Sequence, residues 1–300
     1  MFMRVGRTVR RTMERSVVSA FDPDAGDRAP VALGRVAAEA LAARLLVVVV
    51  RPGGSVPERF ARLEDATERA GVVAGMRATL PSSGVEVREL GAPSPSAGLH
   101  AVLATERPVL AVLGSSRAGA HGNIALGRTT ERVVDGAPCP VAVAPKEHAS
   151  RPLARIAVGV LPSPEGREAL RAATRLAAAA GAALHVVMVL AGTPDADEAR
   201  EIAREIAPET ERLPGARDAS SILGPAIAAA TGGSGADASV LVGDPVEALL
   251  RASEHADVLL LGSRAYGPPD AVGVGGVARR VLDGARCPVV IVPRGESTDV

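Results

Sequence analysis

The chain has 300 residues, a formal net charge of +0 at pH 7, three phenylalanines, one tyrosine and no tryptophan. This composition gives no row of aromatics to stack on single-stranded nucleic acid and no basic surface for DNA or an anionic membrane. No apolar run approaches the roughly 18 residues of a membrane-spanning helix, and two lone cysteines favour reduced thiols. We therefore expect a cytoplasmic protein with an aliphatic core and with no metal, nucleic-acid or membrane partner.

In the first half of the chain, short aliphatic runs alternate with helical patterns, which is typical of a parallel sheet covered by helices. Residues 1–16 carry five arginines and are predicted to be a basic extension. The predicted strands of the first half lie near Val17–Phe21, Leu45–Val50, Val85–Arg88, Val109–Leu113 and Val141–Ala144.

The second half repeats this plan, and its helix boundaries are more clearly marked in the sequence. A first helix ends at Gly181, a second stops before Pro208, a third lies within Asp218–Thr231, and Asp244-Pro245 has the cap and first-turn residues of a helix start. The predicted strands are Ile156–Val160, Leu184–Leu190, Val240–Val242, Val258–Leu261 and Val289–Val292. A polar stretch near residue 150 predicts two doubly wound α/β domains, residues 17–149 and 150–300.

A glycine-punctuated segment occurs twice in the chain, 148 residues apart. Residues 114–146 and 262–294 agree at 13 of 33 positions without a gap, which predicts two copies of one domain. In each copy the fourth strand ends in Gly-Ser, a glycine-containing loop follows, and a helix starts at Gly127 or Gly275. Such a turn aims free backbone amides at one point, which suits a phosphate group. Many α/β domains, however, have glycines at this place for packing alone.

The residues of this segment also resemble a known family. The run Leu260–Pro268, followed by Gly275 and Cys287–Pro293, closely resembles the C-terminal end of universal stress protein domains. The first half matches the same family through Asp22-Pro23-Asp24 and Gly114–Pro145. The resemblance covers residues 17–294. It implies two tandem five-stranded domains of the adenine nucleotide alpha hydrolase type, with strand order 3-2-1-4-5, whose fifth strands pair across a pseudo-twofold axis; a homodimer of the whole chain is also plausible.

Nucleotide-binding members of the family carry Gly-x-x-Gly, nine residues, and then Gly-Ser or Gly-Thr, with an Asp at the end of the first strand. The resemblance therefore implies possible binding of ATP or another adenine nucleotide. The residues it assigns to such a site are Asp22, Gly114, Ser115, Gly119, Gly127 and Arg128 in the first copy, and Gly262, Ser263, Gly267, Gly275 and Gly276 in the second.

The second copy departs from this pattern at three places. Ala265 stands at the second glycine, Gly276 replaces the hydroxyl residue, and Leu161 stands where the family has the acid. Each lost charge-assisted hydrogen bond costs about 1.5–3 kcal/mol. Because about 1.4 kcal/mol is a tenfold change in affinity, two such losses move a micromolar site toward millimolar. The second copy is therefore predicted to be a poor nucleotide site.

The first copy keeps the acid as Asp22, but Arg117 and Arg128 replace the second glycine and the hydroxyl residue. Arg128 could fold over a phosphate as a bidentate donor or could fill the pocket. Asp22 could equally be a turn carboxylate. His121 is expected to be an exposed loop residue, and residues 231–237 a flexible connector.

No set of residues pairs a nucleophile with a base, so we do not expect an enzyme. The first hypothesis is a ligand-responsive stress regulator, and the second is a scaffold that acts through protein contacts alone. Slow ATP hydrolysis in the first domain is a weaker alternative. Cys139 and Cys287 are expected to be buried and inert.

Overall fold

A computed structural model describes residues 15–52, 70–71, 73–78, 84–116, 121–149, 151–208, 219–233, 235–263 and 271–295. The first half contains β1 (Ser16–Ala20), α1 (Ala29–Ala40), β2 (Arg44–Pro52), β3 (Val85–Ala92), α2 (Pro95–Glu106), β4 (Leu110–Gly114), α3 (Arg128–Val134) and β5 (Val141–Ala144). The second half contains β6 (Arg155–Val160), α4 (Pro164–Ala180), β7 (Ala183–Leu190), α5 (Ala196–Ile206), α6 (Ala219–Ala230), β8 (Asp237–Val242), α7 (Pro245–His255), β9 (Val258–Gly262), α8 (Gly276–Leu282) and β10 (Val289–Val292).

All ten strands form one sheet, in the order β3-β2-β1-β4-β5-β10-β9-β6-β7-β8. Within each half the neighbouring strands are parallel and the order is 3-2-1-4-5, so the predicted fold class is confirmed. The two halves meet through β5 and β10, which pair antiparallel. The predicted pairing of the fifth strands within one chain is therefore present, and it covers two aliphatic edges that would otherwise be open to aggregation.

A pseudo-twofold axis relates the two halves. Ala142 pairs with Val290, which is its equivalent 148 residues later. A second equivalent pair, Glu131 of α3 and Arg279 of α8, forms an ion pair with 2.6 Å between Oε1 and Nη1. Because each pair joins two copies of one position, both pairs lie close to the axis.

Local sequence signals explain where several helices begin and end. The Ser163 hydroxyl accepts a hydrogen bond from the Gly166 amide at 3.1 Å and caps α4, which begins with Pro164. Gly181 ends the same helix with a φ of 63°, a conformation that favours glycine. Asp195 begins α5 with a capping box. Of these three boundaries, the sequence predicted the end at Gly181.

The core is aliphatic and lies on both faces of the sheet. One face is covered by α1, α4, α5 and α6, and the other by α2, α3, α7 and α8. Alternate residues of β1 serve the two faces, with Val17 on the first and Val18 on the second. In the part of the chain that the structure describes, no helix is long and apolar enough to cross a membrane.

Both cysteines are buried and unpaired. Burial raises the pKa of the Cys139 thiol to about 12, and it raises the pKa of the Cys287 thiol to about 12 as well. A thiol that stays protonated is a poor nucleophile. The expectation that both cysteines are buried is therefore confirmed, and their inertness remains a prediction.

Candidate functional site

The predicted ligand residues gather at the carboxyl ends of parallel strands, once in each half. We call the ends of β1 and β4 with the start of α3 the first mouth, and the ends of β6 and β9 with the start of α8 the second mouth. β1 pairs with β4, and β6 pairs with β9, so each mouth brings the end of a first strand beside the end of a fourth strand. Gly119 and Gly267 lie outside the described residues, as do Arg117, Ala265 and Tyr266.

The predicted ligand serines contact the protein backbone in both mouths. The Ser115 hydroxyl accepts a hydrogen bond from the Ala125 amide at 2.7 Å and donates one to the Ala125 carbonyl at 3.2 Å. Ser263 makes the same two contacts with Gly273, at 2.7 and 3.1 Å. These serines therefore hold the loop before α3 or α8 against the end of the fourth strand. A role for them in ligand binding remains a prediction.

The glycine that ends each fourth strand allows a helix to approach closely. A Cβ atom on Gly114 would lie 3.0 Å from Pro30 Cγ, at the start of α1. A Cβ atom on Gly262 would lie 2.7 Å from the carbonyl oxygen of Glu165, at the start of α4. Gly262 is thus required for the packing of α4, and Gly114 allows a tight contact with α1, whatever either glycine also contributes to a ligand.

The residues at the start of α3 and α8 are less constrained. Gly127 has a φ of −83° and Gly275 a φ of −77°, which any residue adopts. Arg128 and Gly276 are the exposed first residues of their helices. A Cβ atom on Gly276 would have no neighbour within 4 Å, so the hydroxyl residue of the family pattern would fit at this position.

Asp22 lies in the first mouth, two residues after the end of β1, and its side chain is exposed. Its carboxylate accepts a hydrogen bond from the Asp24 amide at 3.0 Å, and its carbonyl accepts one from the Gly26 amide at 3.1 Å. This is the turn geometry that Asp-Pro-Asp sequences favour. The turn contact and a ligand contact remain compatible, because a carboxylate can accept several hydrogen bonds.

The second mouth is built differently at the same place. β6 runs into α4 through three residues, whereas eight residues separate β1 from α1. Leu161 follows β6 and is 56% exposed. The turn is so tight that a Cβ atom on Gly166 would lie 2.0 Å from the Leu161 carbonyl oxygen. The second mouth therefore presents an apolar side chain where the first mouth presents a carboxylate.

Glu165 adds a buried carboxyl group, with Arg294 beside it, to the second mouth. Its side chain is 8% exposed, it packs beside Gly262, and its Oε1 lies 3.7 Å from Nη1 of Arg294. The residue that packs on the corresponding glycine of the first mouth, Pro30, is uncharged. No sequence signal distinguishes Glu165, because an acid in the first turn of a helix is common for reasons of helix stability alone.

The repeated mouths and the tandem sheet agree with a comparison of the sequence with known families. The universal stress protein family matches residues 13–145 and, a second time, residues 153–293. The chain belongs to the universal stress protein family. No curated protein matches the sequence.

Three solved structures resemble this universal stress protein over most of its length. A protein of unknown function from Pseudomonas aeruginosa PAO1 is 19% identical, with 94% of this chain and 93% of that chain covered and a TM-score of 0.63. A universal stress protein from Archaeoglobus fulgidus DSM 4304 is 18% identical, with coverages of 93% and 98% and a TM-score of 0.64. A putative universal stress protein from Pseudomonas aeruginosa UCBPP-PA14 is 20% identical, with 93% of each chain covered and a TM-score of 0.63. At these identities the likeness shows the tandem fold alone.

The structure also places two residues beside the first universal stress protein mouth that the sequence analysis did not connect. Asp27 accepts hydrogen bonds from the Ala29 amide at 2.9 Å and from the Glu147 amide at 3.3 Å. The Glu147 carboxylate lies 2.8 Å from Nδ1 of His121, which is exposed as expected. The contact between Asp27 and Glu147 joins residues 120 positions apart, so no local pattern could have revealed it.

Proposed function

We propose that this universal stress protein is a non-catalytic regulator whose first mouth binds an adenine nucleotide weakly and whose second mouth does not. The regulator would act in the cytoplasm, a location that the two free cysteines favour. Nucleotide occupancy of the first mouth would be its signal.

The observation that carries this proposal is the charge difference at the glycine that ends each fourth strand. Pro30 packs on Gly114, whereas the backbone and Cβ atom of Glu165, whose carboxylate is buried, pack on Gly262. A phosphate group close to Gly262 would approach this carboxylate, whose charge Arg294 offsets only in part because its Nη1 lies 3.7 Å from Oε1, beyond hydrogen-bond distance. The same phosphate close to Gly114 would have an uncharged ring beside it. The first mouth is therefore the more favourable of the two for an anion.

The ends of the first strands support the same assignment. Asp22 offers an exposed carboxylate to the ribose or base of a nucleotide, and Leu161 offers no acceptor for such a contact. Arg128 is exposed at the start of α3, where its guanidinium group can reach an outer phosphate as a bidentate donor. Gly276, at the same position of the second mouth, has no side chain to contribute.

The test is a calorimetric and thermal-shift titration of the purified chain with ATP, ADP, AMP and cyclic AMP, with and without magnesium. We expect a saturable signal for one binding site per chain. Asp22→Ala should weaken binding by about 10-fold to 100-fold, the effect of losing one charge-assisted hydrogen bond. Asp24→Ala is the matched control, because it removes the same charge from the same exposed turn and should leave the affinity unchanged.

A second titration separates the two mouths. Gly276→Ser restores the hydroxyl residue of the family pattern, and the site has room for it. If Glu165 excludes nucleotide from the second mouth, this variant should still bind only one ATP per chain. Binding of two ATP molecules to the wild-type protein would contradict the proposed difference between the mouths, and no binding at millimolar nucleotide would refute nucleotide sensing.

The second candidate function is a scaffold that acts through protein contacts. It is supported by the second mouth, where an exposed Leu161 and a buried Glu165 replace the features of a nucleotide site. Release of phosphate from ATP above a heat-inactivated control, dependent on magnesium, would contradict both candidates.

A further inference from the structure

In each half, the last residues before the mouth helix form a short loop. We call residues 121–127 the first pre-helix loop and residues 271–275 the second pre-helix loop. Each is attached to the fourth strand of its own domain by the serine contacts described above. The Ser115 hydroxyl holds Ala125, and the Ser263 hydroxyl holds Gly273.

Each pre-helix loop is also in contact with the opposite domain. The Val272 amide donates to the Ala137 carbonyl at 2.9 Å, and the Gly136 amide donates to the Val272 carbonyl at 2.8 Å. In the other direction, Nη1 of Arg286 donates to Oδ1 of Asn123 at 2.6 Å. Both contacts involve the turn that precedes the last strand of a domain and the pre-helix loop of the other domain.

The two contacts differ in kind. The second pre-helix loop is held by two backbone hydrogen bonds, which no side-chain substitution removes directly. Among the described residues, the first pre-helix loop receives a side-chain hydrogen bond from Arg286 of the opposite domain. Its backbone is held by Lys146 of its own domain, because the Gly122 amide donates to the Lys146 carbonyl and the Lys146 amide donates to the Asn123 carbonyl, each at 3.0 Å. Arg286 is therefore a contact between the domains that a single substitution can remove.

Asn123 lies two residues before Ala125, the residue that Ser115 attaches to the end of β4. A displacement of Asn123 would therefore change the path of the chain into Gly127 and Arg128. These two residues form the α3 side of the first mouth. The position of Arg286 in the second domain thus bears on the geometry of a site in the first.

We propose that Arg286 is a positioning residue for the first mouth, so that the nucleotide site of the first domain is completed by the second domain. This inference rests on the proposed function, in which the first mouth binds an adenine nucleotide. Arg286 would act through Asn123 and would not touch the nucleotide. The two domains would then work as one binding unit, in which loosening of the domain contact releases the ligand.

The test compares Arg286→Ala, Arg286→Lys and the control Arg280→Ala in the full chain. Arg280 is an exposed arginine of α8, so its removal changes the net charge equally. Without nucleotide, hydrogen exchange of peptides spanning residues 121–127 should become about fivefold faster in Arg286→Ala, because a local opening has become easier. Arg280→Ala should exchange like the wild type, and Arg286→Lys, which keeps a charged donor, should recover most of the protection.

The same variants are then titrated with ATP. Arg286→Ala should raise the Kd about fivefold, with recovery in Arg286→Lys and with a melting temperature close to that of the wild type. If the hydrogen exchange of residues 121–127 is unchanged in Arg286→Ala, Arg286 does not hold the first pre-helix loop and the proposal is refuted, whether or not ATP binds. Faster exchange with an unchanged Kd would refute the positioning role. If exchange becomes faster but the wild type binds no ATP, the contact between the domains stands and the proposed nucleotide function fails.

Discussion

Replacement of Gly262 by alanine separates the packing role of this glycine from a ligand role. The added Cβ atom would lie 2.7 Å from the carbonyl oxygen of Glu165, 3.0 Å from its carbonyl carbon and 3.3 Å from its Cβ atom. All three atoms belong to the first turn of α4, which Ser163 caps and which the short turn after β6 holds in place. The helix therefore has little freedom to withdraw. Overpacking of this kind destabilises a protein by about 1–3 kcal/mol. Replacing glycine by alanine offsets about 0.4–1 kcal/mol of this loss, because alanine restricts the unfolded chain.

We therefore expect Gly262→Ala to lower the free energy of unfolding by about 1–2 kcal/mol, measured by urea denaturation followed by circular dichroism. Gly276→Ala is the matched control. It adds the same methyl group at an exposed helix start with nothing within 4 Å, and it should be neutral or slightly stabilising. The loss in Gly262→Ala should be the same with and without ATP. A variant as stable as the wild type would refute the packing argument, and ligand binding would then be the remaining explanation for Gly262.

Two further predictions concern buried groups. The Ser19 hydroxyl is fully buried and has no hydrogen-bond partner among the described residues. Ser19→Ala should therefore raise the free energy of unfolding by about 1 kcal/mol, measured by urea denaturation. A loss of stability would contradict the reading that this hydroxyl is unpartnered. Burial raises the pKa of Cys139 and of Cys287 from 9.0 to about 12. Between these values the unfolded state releases thiol protons that the folded state retains. The free energy of unfolding should therefore fall as the pH rises from about 9 toward 12. The double variant Cys139→Ala/Cys287→Ala should lose less stability across that range, and an equal loss would show that other groups dominate.

The fold was predictable because its signals are local. Aliphatic runs marked all ten strands, Gly181 marked the end of α4, and Asp244-Pro245 marked the start of α7. The largest error in a strand start was in β8, which begins at Asp237 instead of Val240. Asp, Ala and Ser have little strand propensity, and these residues are extended because β7 pairs with them from His185 onward. β3 likewise runs to Ala92, past the predicted Arg88, because β2 pairs with all eight of its residues.

The candidate site was predictable in its position but not in its contacts. The spacing of Gly114 and Gly127 located the first mouth, because strand ends and helix starts are local features. The sequence did not reveal that Ser115 attaches the loop, since that contact depends on how the loop folds back. The contact between Arg286 and Asn123 joins residues 163 positions apart. The contact between the two halves, made by β5 with β10 and by the loops beside them, brings these two residues together.

The ion pair between Glu131 and Arg279 affects which pairs of domains can associate. In a dimer of two identical domains, a residue on the twofold axis faces its own copy, so an acid there would meet an acid. Two first domains would bring Glu131 against Glu131, and two second domains would bring Arg279 against Arg279, each with like charges in contact. Only the mixed pair is attractive. Because both side chains are about half exposed, the preference of this position for the mixed pair is modest, at most about 1 kcal/mol.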